Sequence, residues 1–292
     1  MSYNLGSPSP IQPLSLGNVV TAGLRLYRSH LKSYLGLSAI AYLWVFVPVY
    51  GWAKLTANLA LISRLAFGEL VNQPEPINNG RAFVNRRLWQ FLAMSLLMFV
   101  ISIGLVMAFF IPIFIIIGLI AALAGISLSG GTAGAAANPA VFVVLGLLML
   151  IFIPLFIVAL LWIQARFFLV EVPLGVEDFC DATSTIGRSW DLTKGQVWRI
   201  IAIIIVAYLI TLPITIPFAI VDIIIQASVD NLSTGDVVNS GLVFLLAIFR
   251  LVINLLSAII VVPFWQTIKA VVYYDLRSRR EGLGLKLRNH EI

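Results

Sequence analysis

Residues 166–199 read RFFLVEVPLGVEDFCDATSTIGRSWDLTKGQVWR, a charged segment set between two long uncharged runs. No Asp, Glu, Lys, Arg or His occurs from 88 to 165 on its N-terminal side, nor from 200 to 221 on its C-terminal side. A bilayer core about 30 Å thick takes roughly 20 apolar residues per helical crossing, so both runs are long enough to span it. The composition agrees: 60% of the 292 residues are hydrophobic and 11% are charged, against about 25% charged in soluble proteins. The chain reads as an all-α, polytopic transmembrane helical bundle.

Inside the segment, Val176, Phe179, Cys180, Thr183, Ile186, Gly187 and Trp190 recur at helical spacing and predict one amphipathic helix near 175–194. Glu177, Asp178 and Asp181 fall near its start and Arg188 and Lys194 near its end, the order that a helix dipole favours. Lys194-Gly195 supplies a stop. Such a helix lies at a membrane interface.

Toward the C-terminus follows a hairpin, 199–227 and 241–272, joined by VDNLSTGDVVNS, which holds no Lys or Arg and is expected outside. The tail, 276–292, is basic and expected in the cytoplasm. Toward the N-terminus, 140–165 predicts a span, SLSGGTAGAAANP (127–139) an external loop, and 88–126 one long helix kinked at Pro112. A short polar helix, RAFVNRR, is expected near 80–88.

Residues 33–68 admit two readings: a hairpin turned at Val47-Pro48-Val49-Tyr50-Gly51, or one kinked helix. Arg25, Arg28 and Lys32 before the run and Arg81, Arg86 and Arg87 after it both look cytoplasmic, which favours the hairpin. Residues 15–32 predict a helix with Leu16, Val19, Val20, Gly23, Tyr27 and Leu31 on one side and Arg25, Arg28 and Lys32 on the other. Either the membrane surface or another part of the protein would cover its apolar face. Pro8, Pro10 and Pro13 mark a disordered arm over 1–13, leaving 14–275 as one transmembrane domain.

Of the 19 Lys and Arg residues, only Lys54 falls on the expected outer side, and Arg250 lies within a span. This bias predicts about six crossings in three hairpins, each preceded by a short helix, with both termini cytoplasmic. Two weak internal echoes accompany it, Ala22 and Arg28-Ser29 with Ala182 and Arg188-Ser189, and Val47-Pro48 and Lys54 with Val262-Pro263 and Lys269.

The run from Arg166 through Glu171, Glu177, Arg188-Ser189-Trp190, Leu192, Lys194 and Gly195, together with YYDLRSRREG (273–282), resembles bacterial membrane proteins grouped with the membrane domain of glycerophosphodiester phosphodiesterases. The stretches YGWAKL and ISRLAFGELVNQPE look like a cyanobacterial branch. The resemblance implies a compact multi-helix membrane fold in a bacterial plasma membrane, or a thylakoid membrane for a cyanobacterium. It does not imply the phosphodiesterase activity, which belongs to a separate soluble barrel with paired His and carboxylate metal ligands. The only histidines here, His30 and His290, lie near opposite ends of the chain.

No phosphate-binding loop, H-E-x-x-H zinc site or G-x-S-x-G nucleophile elbow occurs, so no catalytic, cofactor or metal residue is expected. The single Cys180 excludes an internal disulfide and a cysteine-rich metal site. The N-terminal MSYNLGSPSPIQP lacks the charged and apolar regions of a cleavable signal. The net charge of +6 sits beside apolar spans, which points to anionic headgroups and away from nucleic acid. Arg25, Arg28, Lys32, Arg188 and Lys194 are the candidate headgroup contacts.

Asp222 and Arg250 are charges within the last hairpin, where an unpaired charge is expensive, and Asn254 lies one turn from Arg250. They are expected to form an intramembrane polar pair, either a clasp on the hairpin or part of a substrate or proton path. Arg64 and Lys269 are expected to snorkel to the inner interface. The leading expectation is a non-catalytic integral membrane protein that contacts lipids or assists the assembly of a membrane-protein partner. The alternative is a small transporter or permease built on Asp222 and Arg250.

Overall fold

The computed structural model describes residues 14–123, 139–234 and 240–282. Their regular structure is helical throughout: α1 (Leu16–Ser29), α2 (Leu31–Leu43), a 3-10 turn (Trp44–Phe46), α3 (Tyr50–Leu70), α4 (Ile77–Arg86), α5 (Leu88–Leu123), α6 (Pro139–Phe167), α7 (Glu171–Val176), α8 (Ser184–Thr193), α9 (Val197–Thr234) and α10 (Ser240–Glu281). Among these, α5, α6, α9 and α10 are long and apolar enough to cross a membrane. The fold is an all-α membrane helical bundle. Its helices keep Pro112, Pro154, Pro213, Pro217 and Pro263 in their interiors, as membrane helices tolerate.

The chain divides into two compact units, one of residues 1–94 with 165–292 and one of residues 95–164. The smaller unit joins parts of α5 and α6 through aromatic rings, with Phe109 and Phe156 centroids 4.4 Å apart and Phe110 and Phe156 5.3 Å apart. Most of its other large side chains, including Phe114, Leu147, Leu150 and Ile151, are exposed. So much contiguous apolar surface is unfavourable in water and suits lipid.

The axis of the larger unit is the second half of α10, buried at almost every position from Pro263 to Leu276. Helix α1 lays Val19, Val20, Gly23 and Tyr27 on it. The Tyr27 hydroxyl donates to the Ile260 carbonyl at 2.9 Å, and Thr267 Oγ1 donates to the Gly23 carbonyl at 3.0 Å. The protein's own helix therefore covers the apolar face of α1, leaving Arg25 and Arg28 exposed opposite.

Residues 33–68 form a hairpin: α2 and α3 pack together across a sharp turn. Val49 has φ 61° and ψ −71°, and the Tyr50 N–H donates to the Pro48 carbonyl at 2.7 Å. This is a γ-turn of the rare, strained hand, and a β-branched residue holds it. Gly51 follows because a Cβ there would run into the Trp44 carbonyl.

Among the described residues four helices are long and apolar enough to span, where six crossings were expected, because this hairpin does not supply two. Helix α2 is about 20 Å long at ~1.5 Å per residue, short of the ~30 Å apolar core. Helix α3 is longer, but it buries Asn58 and Ser63 in the unit and carries Lys54, Arg64 and Glu69. Helix α4 then folds back along α3, with Arg64 on Glu75 near its start and Lys54 Nζ donating to Asn85 Oδ1 at 2.9 Å near its end. Lys54, expected outside, thus shares a surface with the polar helix expected inside. The second internal echo dissolves, since Val47-Pro48 makes a turn while Val262-Pro263 lies inside α10.

The organising segment does not form one helix over 175–194. It breaks at 177–183 between α7 and α8, and Phe179 is fully exposed while Cys180 is buried. The break is made by Asp181, whose Oδ1 accepts the N–H groups of Thr183 and Ser184 at 3.1 and 2.7 Å. Ser184 Oγ in turn accepts the Asp181 N–H at 2.8 Å. This reciprocal cap starts α8 at Ser184, well after the start near 175 that the apolar spacing suggests. Bonds from Ser184 and then Thr183 hold the Asp181 carboxyl down at about pKa 2. At the other end the expected stop is present, with Gly195 at φ 75°.

The expected arm, 1–13, lies outside the described residues, as do 127–138 of the external loop, the last residues, 124–126, of the expected long helix and 283–292 of the tail. The described part of the tail continues α10 to Glu281.

Candidate functional site

Three groups of polar side chains are candidates for function. The first is a set of linked ion pairs in the larger unit. Ser63 donates to Gln266 Oε1 at 2.6 Å, Gln266 Nε2 donates to Glu171 Oε1 at 2.9 Å, and Lys269 pairs with the same carboxylate. Glu177 accepts Arg188 Nη2 at 3.0 Å and the Tyr273 hydroxyl. Arg188 also pairs with Glu281, which takes Arg277 Nε at 2.9 Å. Glu177 and Glu281 hold Arg188 above its ordinary pKa, outweighing partial burial that alone would lower it.

Asp275, only 3% exposed, binds Arg199 Nη1 at 2.5 Å, Arg279 Nε at 3.0 Å and the Leu14 N–H at 3.0 Å. Arg64 pairs with Glu75 at 2.5 Å and donates to the Gly175 carbonyl at 3.0 Å. Arg87 donates to the Glu177 carbonyl at 2.6 Å, and both guanidinium groups lie over the Phe83 ring, 3.9 Å from its centre for Arg64 and 4.5 Å for Arg87.

These contacts tie α3, α4, α7, α8, α9 and α10 together at the charged ends of the long helices. They overturn the expectation that Arg64 and Lys269 snorkel: each has a carboxylate partner inside the protein. Sequence reasoning missed the set because its members lie far apart in the chain. The one local signal was the clustering of Glu171 and Glu177 beside apolar runs, where an unpaired acid is costly.

The second group is in the last hairpin, where the structure brings Asp222, Arg250 and Asn254 together. Arg250 grips both carboxylate oxygens of Asp222, Nε to Oδ1 at 2.8 Å and Nη2 to Oδ2 at 3.1 Å. Asn254 Nδ2 donates to Asp222 Oδ1 at 2.8 Å, and Arg250 also donates to Gln226. A bidentate pair with its remaining donors directed to neutral acceptors is a well-satisfied way to carry two opposite charges on apolar helices. It ties α9 to α10. The surrounding Ile223, Ile224, Leu251 and Val252 are exposed.

The third group is basic and outward-facing. Arg25, Arg28, Lys32 and Lys194 are exposed and have no acidic partner among the described residues. Arg188, expected among them, is instead taken up by Glu177 and Glu281. No group of three or more His, Cys, Asp or Glu with metal-binding geometry occurs among the described residues. No protein-family model, curated protein or solved structure matches the chain.

Proposed function

We propose that this chain is a non-catalytic integral membrane protein that works by interaction: it holds anionic lipid headgroups along Arg25, Arg28 and Lys32, and serves as an accessory to other membrane components. One contrast carries the reading. Arg64, Arg188, Arg199 and Lys269 have carboxylate partners inside the larger unit, whereas Arg25, Arg28 and Lys32 on the outer side of α1 and the start of α2 have none among the described residues. Arg25 and Arg28 lie on the outer side of α1, which is fixed to α10 by its opposite face, and Lys32 follows at the start of α2, so the three cations lie close together in the chain on a held element. Anionic headgroups are the complementary charge at a membrane surface, at about 1 kcal/mol per basic residue.

In this reading the protein sits in a bacterial plasma membrane, or a thylakoid membrane, with both ends in the cytoplasm. Leu14 supports the last point, since it lies on Asp275 and Arg279 near the far end of α10. The transporter reading rests on Asp222 and Arg250, whose closed bidentate geometry favours a clasp over a carrier site.

The test is lipid retention. Purified in mild detergent, the protein is expected to keep phosphatidylglycerol in preference to phosphatidylcholine, and the triple variant R25Q/R28Q/K32Q to lose that preference while remaining folded. Equal retention by the variant would end the headgroup reading.

A further inference from the structure

The turn of the first hairpin shows the bilayer a surface that neither the spans nor the basic face explains. No charged residue occurs between Lys32 and Lys54. At the turn, Leu43, Phe46, Val47, Val49, Tyr50 and Trp52 are all exposed, Leu43 by 69% and Phe46 by 58%. Large apolar side chains clustered at the tip of a rigid hairpin are unfavourable in water. Trp44, Tyr50 and Trp52 are also the residue types that settle at a water–lipid boundary.

The hairpin is held at a definite level. Lys54 Nζ bonds to Asn85, two residues before Arg87, where the chain passes from the charged end of α4 into the uncharged run of α5. The same ammonium lies 5.9 Å from the Trp44 ring centre and 5.6 Å from that of Tyr50. Lys54 therefore sits where α5 leaves charged sequence, with the uncharged turn beyond it. The arms are too short and too polar to carry the turn across.

We propose that residues 43–52 form a re-entrant wedge that inserts into the acyl region of a single leaflet and returns, with Lys54 at the headgroup level. The occupant of this surface is the bilayer itself. The strained Val49 turn and the closely packed Gly51 make the tip narrow, and the aromatic rings set its depth. Inserted on one side only, it displaces lipid in one leaflet, which couples the protein to membrane curvature.

The inference rests on the membrane reading of the four long helices, and the two fail separately. Loss of the full-length protein from carbonate-washed membranes would fail that reading. For the wedge, the variants V47C and K194C are made in a C180S background, reconstituted in proteoliposomes and labelled with an environment-sensitive fluorophore. Position 47 is expected to show blue-shifted emission, quenching by lipids brominated on the acyl chain, and loss of reactivity toward a membrane-impermeant thiol reagent from either side, while position 194 reacts.

Three results overturn the wedge in a protein that stays in the membrane. Reactive 47 without bromine quenching makes the tip a water-facing surface. Reaction of 47 only from the side opposite 194 makes the hairpin a full crossing. A V47C disulfide dimer without quenching assigns the surface to a second copy of this chain.

Discussion

Replacing Asp275 by Asn tests whether the linked ion pairs hold the larger unit together. The carboxylate is 3% exposed and accepts from Arg199, Arg279 and the Leu14 N–H, while the Arg199 side chain is 17% exposed. Asn keeps the volume but removes the charge and turns one acceptor oxygen into a donor facing a guanidinium. Arg199 is then left as a largely buried cation without its counter-charge, a change that costs about 3–5 kcal/mol in buried pairs. Arg279 is 28% exposed and adds little, because solvent screens it. At about 2–4 °C per kcal/mol for a protein of this size class, the melting temperature should fall by roughly 6–20 °C. Fluorescence-detected size exclusion of heated samples in nanodiscs measures it, with the exposed D191N as a control that should not move. The double variant R199M/D275L removes both charges and should recover much of the loss, as apolar replacement of buried pairs does. A D275N protein that melts with the wild type, or a double variant no better than D275N, would refute the reasoning.

Two further outcomes follow from the other polar groups. The variant D222A should destabilise the last hairpin, because Arg250 and Asn254 lose their shared acceptor; D222A/R250Q should recover most of the loss, read as melting in nanodiscs, and a double variant as weak as D222A would count against the clasp. Asp181 has its carboxyl depressed to about pKa 2 by Ser184 and Thr183, so its cap is fully present above the unfolded value near 4 and is lost as pH falls through 2. Hydrogen exchange at the Thr183 and Ser184 amides should accelerate across that window in the wild type, beyond the intrinsic change, and not in D181N, which caps without titrating.

The long elements were legible because one physical rule dominates them. From 88 to 165 and from 200 to 221 the absence of charge leaves no soluble alternative, and α5, α6 and α9 follow. Asp222 and Arg250 were legible for the same reason: two opposite charges in an apolar hairpin have few ways to be accommodated. The reading ran out where side chains distant in sequence meet. Nothing local says that Ser63 will bond Gln266 or that Lys269 will find Glu171, and hydropathy alone sends such cations to the interface. The break at 177–183 was hidden by an apolar spacing that Asp181 overrides, since its short carboxylate competes with the helix for backbone N–H groups.

The first hairpin shows why counting apolar residues overestimates crossings. Residues 33–68 have the length of two short spans, yet α3 is apolar for the needs of protein packing: Ala53, Ala57, Ala60, Leu61 and Ala66 are buried against neighbouring helices. Small residues there let α2, α7 and α10 approach closely, and Ser63 and Asn58 are tolerated because their bonds are made inside the protein. Lipid-facing apolar residues look different in the structure, as the exposed Phe114, Leu150 and Phe244 do. Removing two crossings from six keeps the number even, so the proposed placement of both ends on one side is unaffected. It also removes the one cation that stood against it in the sequence, because Lys54 now lies on Asn85 beside Arg86 and Arg87. Among the described cations, Arg250 alone then stands at the far end of a long helix pair, and there Asp222 neutralises it.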